Sequence, residues 1–546
     1  MAARLRTEEK NGPAGRMVDF FDRDPTAPVG YTRRDRIEPG EEMMSTPRSA
    51  GPTDSDQPLA ALEPRIVWSH FDGIRRVPRP SKQEERIVRH VCNWATSHDF
   101  EVLSDGPEGG LGNLVIRVPA SPGLENAPTV VLQAHLDMVC EKNADSPHDF
   151  DHDPIAVVVE GDWVRAEGTT LGADNGLGVA AAMAAAVDPE LRHGPLELLF
   201  TLDEETGLHG AAALDPDLVT GRILVNLDTE EDGAVYVGCA GAAGLQAFLR
   251  GRRFGHTGEA RRLVVRGLRG GHSGVEIHDN RGNANRIAAR LLAEALDSGV
   301  DFGLVSFDGG DKANAIPREC FVGLRLDPPD LAALVQRIEQ ALPAIRDELG
   351  AADPGLEVRL EPVETLGDRV LEPRLRDAMV HLLASAPHGV LAMSREVPGL
   401  VETSCNLAVV ASHDDGVALT FSIRSSVTAA LGGTLRGLRS LCNLAAAEVH
   451  ADTGYPGWKP EPESPLVRRT AAVYEGLFGQ PPEIKAVHAG LECGILAEKI
   501  PGLKAVSIGP DIRGAHSPTE RASIPSTQRF YRFLGALLAD LAEAVP

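Results

Sequence analysis

Apolar residues in the first half of the chain occur in short runs, and stretches with helical periodicity separate these runs. The runs at residues 129–133, 196–202 and 223–227 are apolar at successive positions, so both faces of each strand would be buried. Such strands are typical of a parallel sheet with helices on its faces. The pattern therefore predicts an α/β fold with a mixed, mostly parallel sheet covered by helices.

A different pattern begins after the segment GCAGAAG at residues 238–244. Strands are predicted there among long helices, at residues 262–268, 304–307, 320–326 and 418–423. They indicate a second α/β unit. The glycine-rich segment lacks the lysine of a phosphate-binding loop, so a hinge between the two units is the better interpretation.

The pattern of the first unit returns near the C-terminus, where a short apolar run at residues 505–508 precedes His516. We therefore expect the second unit to be inserted into the first. The catalytic unit would consist of residues 59–240 and 456–546. The lid unit would consist of residues 241–455.

Residues 1–58 are rich in Pro, Gly, Ser and charged side chains, and they show no apolar periodicity. This composition predicts a disordered N-terminal tail. An arm that folds on a partner is the alternative, and the sequence does not separate the two.

Composition and charge exclude several classes of protein. The chain has 546 residues, of which 42% are apolar and 24% charged, so two or three globular domains are expected. Asp and Glu outnumber Lys and Arg by 79 to 54, and a net charge of −25 repels the phosphate backbone of nucleic acids. Solubility alone is a sufficient explanation for this charge.

The sequence also predicts where the protein resides. Its 7 cysteines are dispersed and form no C-x-x-C pair, which favours a reducing compartment. The N-terminus has no apolar segment of a secretory signal. The longest apolar run, at residues 176–187, is too short to span a bilayer and is Ala-rich, as in a buried helix. A cytoplasmic protein without a membrane partner is expected.

Residues that can bind a metal follow the three apolar runs of the first unit: His135, Glu204, Glu205 and Asp228. A glycine-flanked loop carries Asp174. Because ligands collect at the carboxyl ends of strands in open α/β sheets, we expect these side chains to converge. Imidazole and carboxylate ligands suit Zn, Mn or Co, and one further histidine would complete a two-metal site. Asp174 is the candidate for the carboxylate shared by both metals.

Two further roles follow from spacing. Asp137 lies two residues from His135, so on an extended strand end it points the same way and can accept the second imidazole N–H. Glu204 and Glu205 are adjacent and point apart, so one can bind metal while the other acts as general base. Each segment alone is compatible with a turn, a solvated face or a helix cap. Their repetition in order favours a metal site.

These segments resemble the aminoacyl-histidine dipeptidases, which belong with the zinc aminopeptidases, aminoacylase and the peptidase T type. The resemblance covers about residue 60 to the end. It is carried by the Glu204–Glu205 pair and by HLDMV, TTLGADNG, NLDTEE, GGHSGVEIH, NAIPRE, VHAGLECG and GPDIRGAHSP. It implies a di-zinc catalytic domain with an inserted lid domain, with Mn or Co as alternative metals.

The resemblance also implies a set of metal ligands. His135 and Asp228 would bind separate metals, and Asp174 would bridge them. Glu205 would bind one metal and His516 the other. A cis peptide bond is expected after Asp174.

The remaining roles implied by the resemblance are catalytic or concern the substrate. Asp137 would orient its histidine, and Glu204 would be the general base. His272 of the lid would polarise the scissile carbonyl. Arg424 would bind the terminal carboxylate of a small peptide substrate, and Asn314 lies in a motif near that substrate.

The expected activity is hydrolysis of dipeptides, either Xaa-His or a broad range, by a metal-bridged water. An N-acyl amino-acid deacylase or a tripeptidase on the same fold is the nearest alternative, and a non-catalytic metal-binding protein is another. A free carboxylate at Glu204 argues against the last. The sequence assigns no role to His488 or Glu492, and a homodimer is compatible with it.

Overall fold

The computed structural model describes residues 58–106, 112–452 and 454–543. The predicted N-terminal tail lies outside the described residues except for its last residue.

Helices and strands alternate along the described chain. The helices are α1 (Arg65–Arg75), α2 (Glu85–Ser97), α3 (Ala173–Val187), α4 (His209–Ala213), α5 (Ala284–Asp297), α6 (Pro328–Leu349), α7 (Pro373–Ser385), α8 (Thr428–Leu444), α9 (Pro465–Phe478), α10 (Cys493–Lys499) and α11 (Ile524–Ala542). The first strands are β1 (Glu101–Ser104), β2 (Leu114–Val118), β3 (Val130–His135), β4 (Val157–Glu160), β5 (Trp163–Ala166), β6 (Leu196–Thr201), β7 (Ile223–Asn226) and β8 (Ala234–Cys239). The middle strands are β9 (Gly241–Arg250), β10 (Arg253–Gly255), β11 (Glu259–Arg266), β12 (Gly271–His272), β13 (Gly303–Gly309), β14 (Ala315–Ile316), β15 (Cys320–Leu326), β16 (Glu357–Pro362) and β17 (Arg369–Leu371). The last strands are β18 (Gly389–Met393), β19 (Val401–His413), β20 (Gly416–Ser425), β21 (Glu448–Ala451), β22 (Glu483–Val487), β23 (Lys504–Ser507), β24 (Ile512–Arg513) and β25 (Arg521–Ser523).

The first sheet has eight strands in the order β1-β2-β6-β3-β7-β23-β8-β22. The central strands β6, β3, β7 and β23 run parallel to one another, whereas β1 pairs antiparallel with β2, β2 with β6, and β23 with β8. In the register, His135 lies opposite Thr201, and Gln133 lies opposite Asn226. The mixed sheet predicted from the apolar runs is confirmed, and the carboxyl ends of β3, β6 and β7 lie side by side.

The first sheet and its helices share one hydrophobic core. It combines residues from α1, α3 and strands β2–β8 with residues from α9, β23 and α11. The Ala-rich run forms the buried helix α3, as predicted. Its small side chains allow close packing, since a Cβ on Gly176 would lie 3.0 Å from Phe71 Cε2 of α1. Segments before residue 240 and after residue 465 therefore pack as one body.

The second sheet is built from the intervening segment. Its strand order is β16-β11-β15-β13-β19-β20-β9-β21, and β18 pairs with β19. These pairings are antiparallel. The strands predicted in this segment overlap β11, β13, β15 and β20. Helices α5, α6, α7 and α8 pack on this sheet in a separate core that extends from Ala243 to Ala447.

The two crossings between the sheets run next to each other. Isolated antiparallel bridges join Cys239 to Trp458 and Ala242 to Tyr455. Gly241 fits here because a Cβ at this position would lie 2.4 Å from backbone atoms of Tyr455 and Gly457. In the described residues, no helix combines the length and the apolar character that a membrane crossing requires.

Candidate active site

His135 is the last residue of β3 and lies at the carboxyl edge of the first sheet, where its side chain is buried. Its Nε2 atom lies 3.1 Å from Asp174 Oδ1 and 3.3 Å from Asp228 Oδ1. Asp228 follows β7, the neighbouring parallel strand. Three potential ligands from two strand ends and one loop thus face a common point.

The other oxygen of Asp174 faces a second group. His516 Nε2 lies 3.2 Å from Asp174 Oδ2 and 3.0 Å from Glu205 Oε2. Asp174 therefore stands between a His135–Asp228 pair and a His516–Glu205 pair. The sequence assigned His135 and Asp228 to separate metals, whereas in the structure their candidate ligand atoms lie beside one another. Glu205 and His516, which the sequence also assigned to separate metals, likewise lie together.

The loop before α3 sets the position of Asp174. The helix starts irregularly, since Asp174 and Asn175 have non-helical backbone angles. The expected cis peptide bond joins these two residues. The Asn175 side chain donates to Leu227 O at 3.0 Å and to Asp228 Oδ1 at 2.5 Å. Asn175 thus connects the carboxylate of Asp228 to the loop that carries Asp174.

Asp137 supports both the histidine and the glutamate pair. Its Oδ1 atom lies 3.3 Å from His135 Nδ1. Asp137 Oδ1 accepts the backbone N–H of Glu204 at 3.1 Å. Its Oδ2 accepts the backbone N–H of Glu205 at 3.2 Å and the Ser81 hydroxyl at 2.8 Å. Burial raises the pKa of Asp137, but bonding to His135 and the other donors outweighs it and brings the pKa to about 2. Asp137 is therefore held as a carboxylate.

Glu204 lies beside the cluster, partly buried, at the end of β6. Burial, followed by the charges of Asp228, Glu205 and Glu492, raises the pKa of Glu204 well above its usual range, although His135 opposes this. A carboxyl group in such surroundings holds a proton more readily than an exposed one. This property suits a group that exchanges protons during catalysis.

The donor set fits a pair of divalent cations. Two imidazoles and three carboxylates are ligands that Zn, Mn and Co accept. The side chains of His135, Asp174 and Glu205 have candidate ligand atoms within 4.8 Å of one another. Glu205 Oε1 is buried and has no hydrogen-bond partner in the described structure. Hydrogen bonds to Asp174 and Glu205 raise the pKa of His516 to about 11, so the cluster attracts positive charge.

His272 belongs to the inserted unit and lies on β12, opposite Ala315 of β14. Its Nδ1 atom accepts the backbone N–H groups of Gly274 and Val275, both at 3.2 Å. Burial and then the charge of Arg424 lower the pKa of His272. A neutral ring whose Nδ1 accepts must carry its proton on Nε2, so His272 presents one N–H donor.

Asn314 and Arg424 also lie in the inserted unit. The Asn314 carbonyl accepts the backbone N–H of Ser273 at 2.8 Å, so its segment lies against the loop of His272. Arg424 is on β20, and its Nε atom is buried without a hydrogen-bond partner in the described structure. Burial raises the pKa of Tyr455; the positive charge of Arg424 lowers this pKa and the negative charge of Glu204 raises it. Arg424 is thus placed towards the junction of the two units.

His488 and Glu492, to which the sequence assigned no role, join distant parts of the molecule. His488 Nε2 lies 2.7 Å from the Ser404 hydroxyl of the inserted unit. Glu492 Oε2 accepts hydrogen bonds from Gln133 Nε2 at 2.5 Å and from Thr201 Oγ1 at 2.6 Å. These two donors lie on β3 and β6, the strands whose ends carry candidate metal ligands. These contacts have no sequence signal beyond the motif VHAGLECG itself.

Sequence reasoning missed other supporting residues. Asn175 directly follows Asp174, and Glu520 follows His516 by four residues, so proximity to a candidate ligand was the available signal. The buried Arg79 precedes the first sheet and has no comparable signal.

The fold and the arrangement of these side chains define a peptidase of a recognised class. The chain belongs to Peptidase family M20/M25/M40, whose model matches residues 131–540. It is 40% identical over 485 residues to the cytosol non-specific dipeptidase of Escherichia coli (strain K12), covering 88% of this chain and 99% of that protein.

Solved structures agree with this assignment. Aminoacylhistidine dipeptidase from Vibrio alginolyticus superposes with a TM-score of 0.81 at 40% identity, covering 89% of this chain and 98% of the other. Aminopeptidase PepT from Bacillus cereus ATCC 10987 has a TM-score of 0.53 at 17% identity, covers 88% and 100% respectively, and shows the fold alone. The family predicted from the sequence motifs is confirmed.

Proposed function

We propose that this chain is a cytoplasmic dipeptidase with two divalent metal ions, zinc in the native enzyme, that share the Asp174 carboxylate. The observation that carries the proposal is the position of Asp174 between two His–carboxylate pairs. His135 and Asp228 would hold one ion, and Glu205 and His516 the other. When bound, the ions would supply Lewis acidity and lower the pKa of a water molecule.

Glu204 is the general base of this proposal. Its carboxylate accepts a proton from the attacking water and returns that proton to the nitrogen of the leaving amine. Burial raises the pKa of the Glu204 carboxyl, which favours the protonated form that the second transfer needs. Asp137 fixes the backbone of Glu204 and Glu205, so the base and the neighbouring ligand keep their separation.

The inserted unit contributes the groups that bind and polarise the substrate. The Nε2–H group of His272 donates a hydrogen bond to the oxygen of the scissile carbonyl, where negative charge develops. Arg424 binds the terminal carboxylate through charge-assisted hydrogen bonds, and its unpartnered Nε is one available donor. Asn314 lies beside the His272 loop and lines the same region. Closure of this unit as a lid excludes water from the reacting groups.

Dipeptides are the proposed substrates because the chain shares 40% identity with a dipeptidase along nearly its whole length. An Xaa-His preference or a broad specificity both fit this relationship. The test is turnover by the purified protein, with its metal content measured, on dipeptides, tripeptides and N-acetyl amino acids. Hydrolysis of dipeptides at the highest kcat/KM supports the proposal. Preferential hydrolysis of N-acetyl amino acids or tripeptides would replace it with the deacylase or tripeptidase alternative.

A further inference from the structure

The loop that leads to Asp174 is bound by a carboxylate from a distant part of the chain. Glu520 Oε2 accepts the backbone N–H groups of Leu171 at 2.6 Å and Gly172 at 3.0 Å. Its Oε1 accepts those of Ala173 at 2.8 Å and Asp174 at 3.2 Å. The side chain is only 2% exposed. One buried carboxylate therefore satisfies four consecutive backbone donors.

A buried guanidinium binds the same loop from its carbonyl side. Arg79 Nη2 donates to Gly172 O at 2.5 Å, while Nη1 donates to Leu136 O at 2.9 Å and Asp137 O at 2.7 Å. Arg79 thus connects the segment after His135 to the Asp174 loop. The contact needs a glycine at position 172, which has a φ of 68° and where a Cβ would lie 2.6 Å from Arg79 Nη2.

These contacts connect three of the five candidate metal ligands. Arg79 links the backbone beside His135 to the loop of Asp174. Glu520 links that loop to the segment of His516, which lies four residues earlier in the chain. A shift of the loop would change the separation of the Asp174 oxygens from both histidines. Groups that hold a ligand in this way set metal affinity without touching the metal.

We propose that Glu520 and Arg79 are positioning residues that fix the geometry of both metal sites through the Leu171–Asp174 loop. The inference rests on the proposed role of Asp174 as the shared metal ligand. Neither residue is among the candidate metal ligands, and the contacts of both described here are to backbone groups, so each acts through the backbone. Burial lowers the pKa of Arg79, and the nearby charges of Asp137 and Glu520 partly offset this effect.

The variant Glu520→Gln tests the proposal with little change in shape. The amide has one acceptor oxygen and one NH₂ group, so only one pair of backbone N–H groups keeps an acceptor. We expect the metal-free protein to remain folded and to bind Co²⁺ or Zn²⁺ about 10- to 100-fold more weakly at both sites. The visible spectrum of the Co²⁺ form should also change, because the ligand geometry relaxes.

Glu197→Gln is a matched control. Glu197 lies near the start of β6, whereas Glu204 and Glu205 follow the end of this strand. Glu197 is also buried, and it accepts the backbone N–H groups of Thr220 at 3.0 Å and Gly221 at 2.9 Å. This variant should lose stability but keep wild-type metal affinity and the wild-type Co²⁺ spectrum. Calorimetric titration of the three metal-free proteins, with their thermal unfolding and Co²⁺ spectra, makes the comparison.

Wild-type affinity and spectrum in Glu520→Gln would overturn the proposal, as would equal weakening in Glu197→Gln. If Glu520→Gln does not fold, Arg79→Lys carries the test, since lysine keeps the charge but not the forked donors. Weaker binding and an altered spectrum in Arg79→Lys support the inference, and unchanged ones refute it. A wild-type protein that binds fewer than two metals would instead contradict the proposed function, and titration of the unaltered chain shows this separately.

Discussion

Replacement of Glu204 by Gln separates catalysis from metal binding. The substitution keeps the size of the side chain but removes its ability to accept a proton near neutral pH. Asp137 holds Glu204 and Glu205 by their backbone N–H groups at 3.1 and 3.2 Å, and these bonds do not involve the Glu204 side chain. Glu205 should therefore stay in place, 3.0 Å from His516, and both metals should remain bound.

The expected loss follows from the role of Glu204 in proton transfer. A positioned acid–base group accelerates a reaction by about 10²- to 10⁴-fold, so kcat of Glu204→Gln should fall about 100-fold or more. A 100-fold loss equals about 2.7 kcal/mol of transition-state stabilisation. KM should change little, because the lost interaction belongs to the transition state. Steady-state kinetics on a dipeptide and elemental analysis of the same sample measure these quantities.

Two results would refute this reasoning. Wild-type kcat in a fully metallated Glu204→Gln protein would show that Glu204 only solvates a turn. Loss of one metal would show that Glu204 is the ligand and Glu205 the base. Glu197→Gln, the same substitution at the far end of β6, controls for general effects on the strand.

Three further outcomes are expected. Replacement of His272 by Ala should lower kcat about 100-fold with both metals retained, because one donor to the developing oxyanion is lost; an unchanged kcat would contradict this. Arg424→Ala should reduce kcat/KM about 10- to 100-fold for dipeptides with a free carboxylate but little for their C-terminal amides, and equal losses on both would be inconsistent with carboxylate recognition. His388 has its pKa lowered to about 4 by burial and then by Arg286, and its Nδ1 lies 3.3 Å from Asn283 Nδ2. Because His388 is neutral in the fold, its contribution to stability is present above pH 6.5 and is lost as pH falls towards 4, by at most about 1.4 kcal/mol per pH unit. Denaturation at several pH values should show a shallower loss in His388→Gln, and an identical pH dependence in both proteins would exclude this contribution.

The sequence predicted those parts of the fold that depend on local pattern. Strand β15 coincides with the apolar run at 320–326, and the Ala-rich run forms α3. His135 and Asp228 follow parallel neighbouring strands, so their convergence could be expected from the topology of α/β sheets. The antiparallel pairing of the second sheet was not predicted, because strand direction depends on contacts between distant segments.

The sequence does not determine which candidate metal ligands lie together, for a related reason. Spacing along the chain indicates that a side chain reaches the edge of the sheet, but it does not determine which oxygen of Asp174 faces His135. That choice depends on the loop before α3, which Glu520 holds across 346 residues of sequence. The contact of His488 with Ser404 joins the two units and likewise has no local signature.

The metal content of two single variants tests the central claim that Asp174 joins two metal sites. Asp174→Ala should lose both metals together, because one of its oxygens faces each histidine. Asp228→Ala should lose mainly the metal beside His135, because Asp228 belongs to only one pair. Elemental analysis after dialysis against metal-free buffer gives the two occupancies. About one metal in the Asp228 variant and almost none in the Asp174 variant is the predicted result, and full occupancy of two metals in Asp174→Ala would contradict the account.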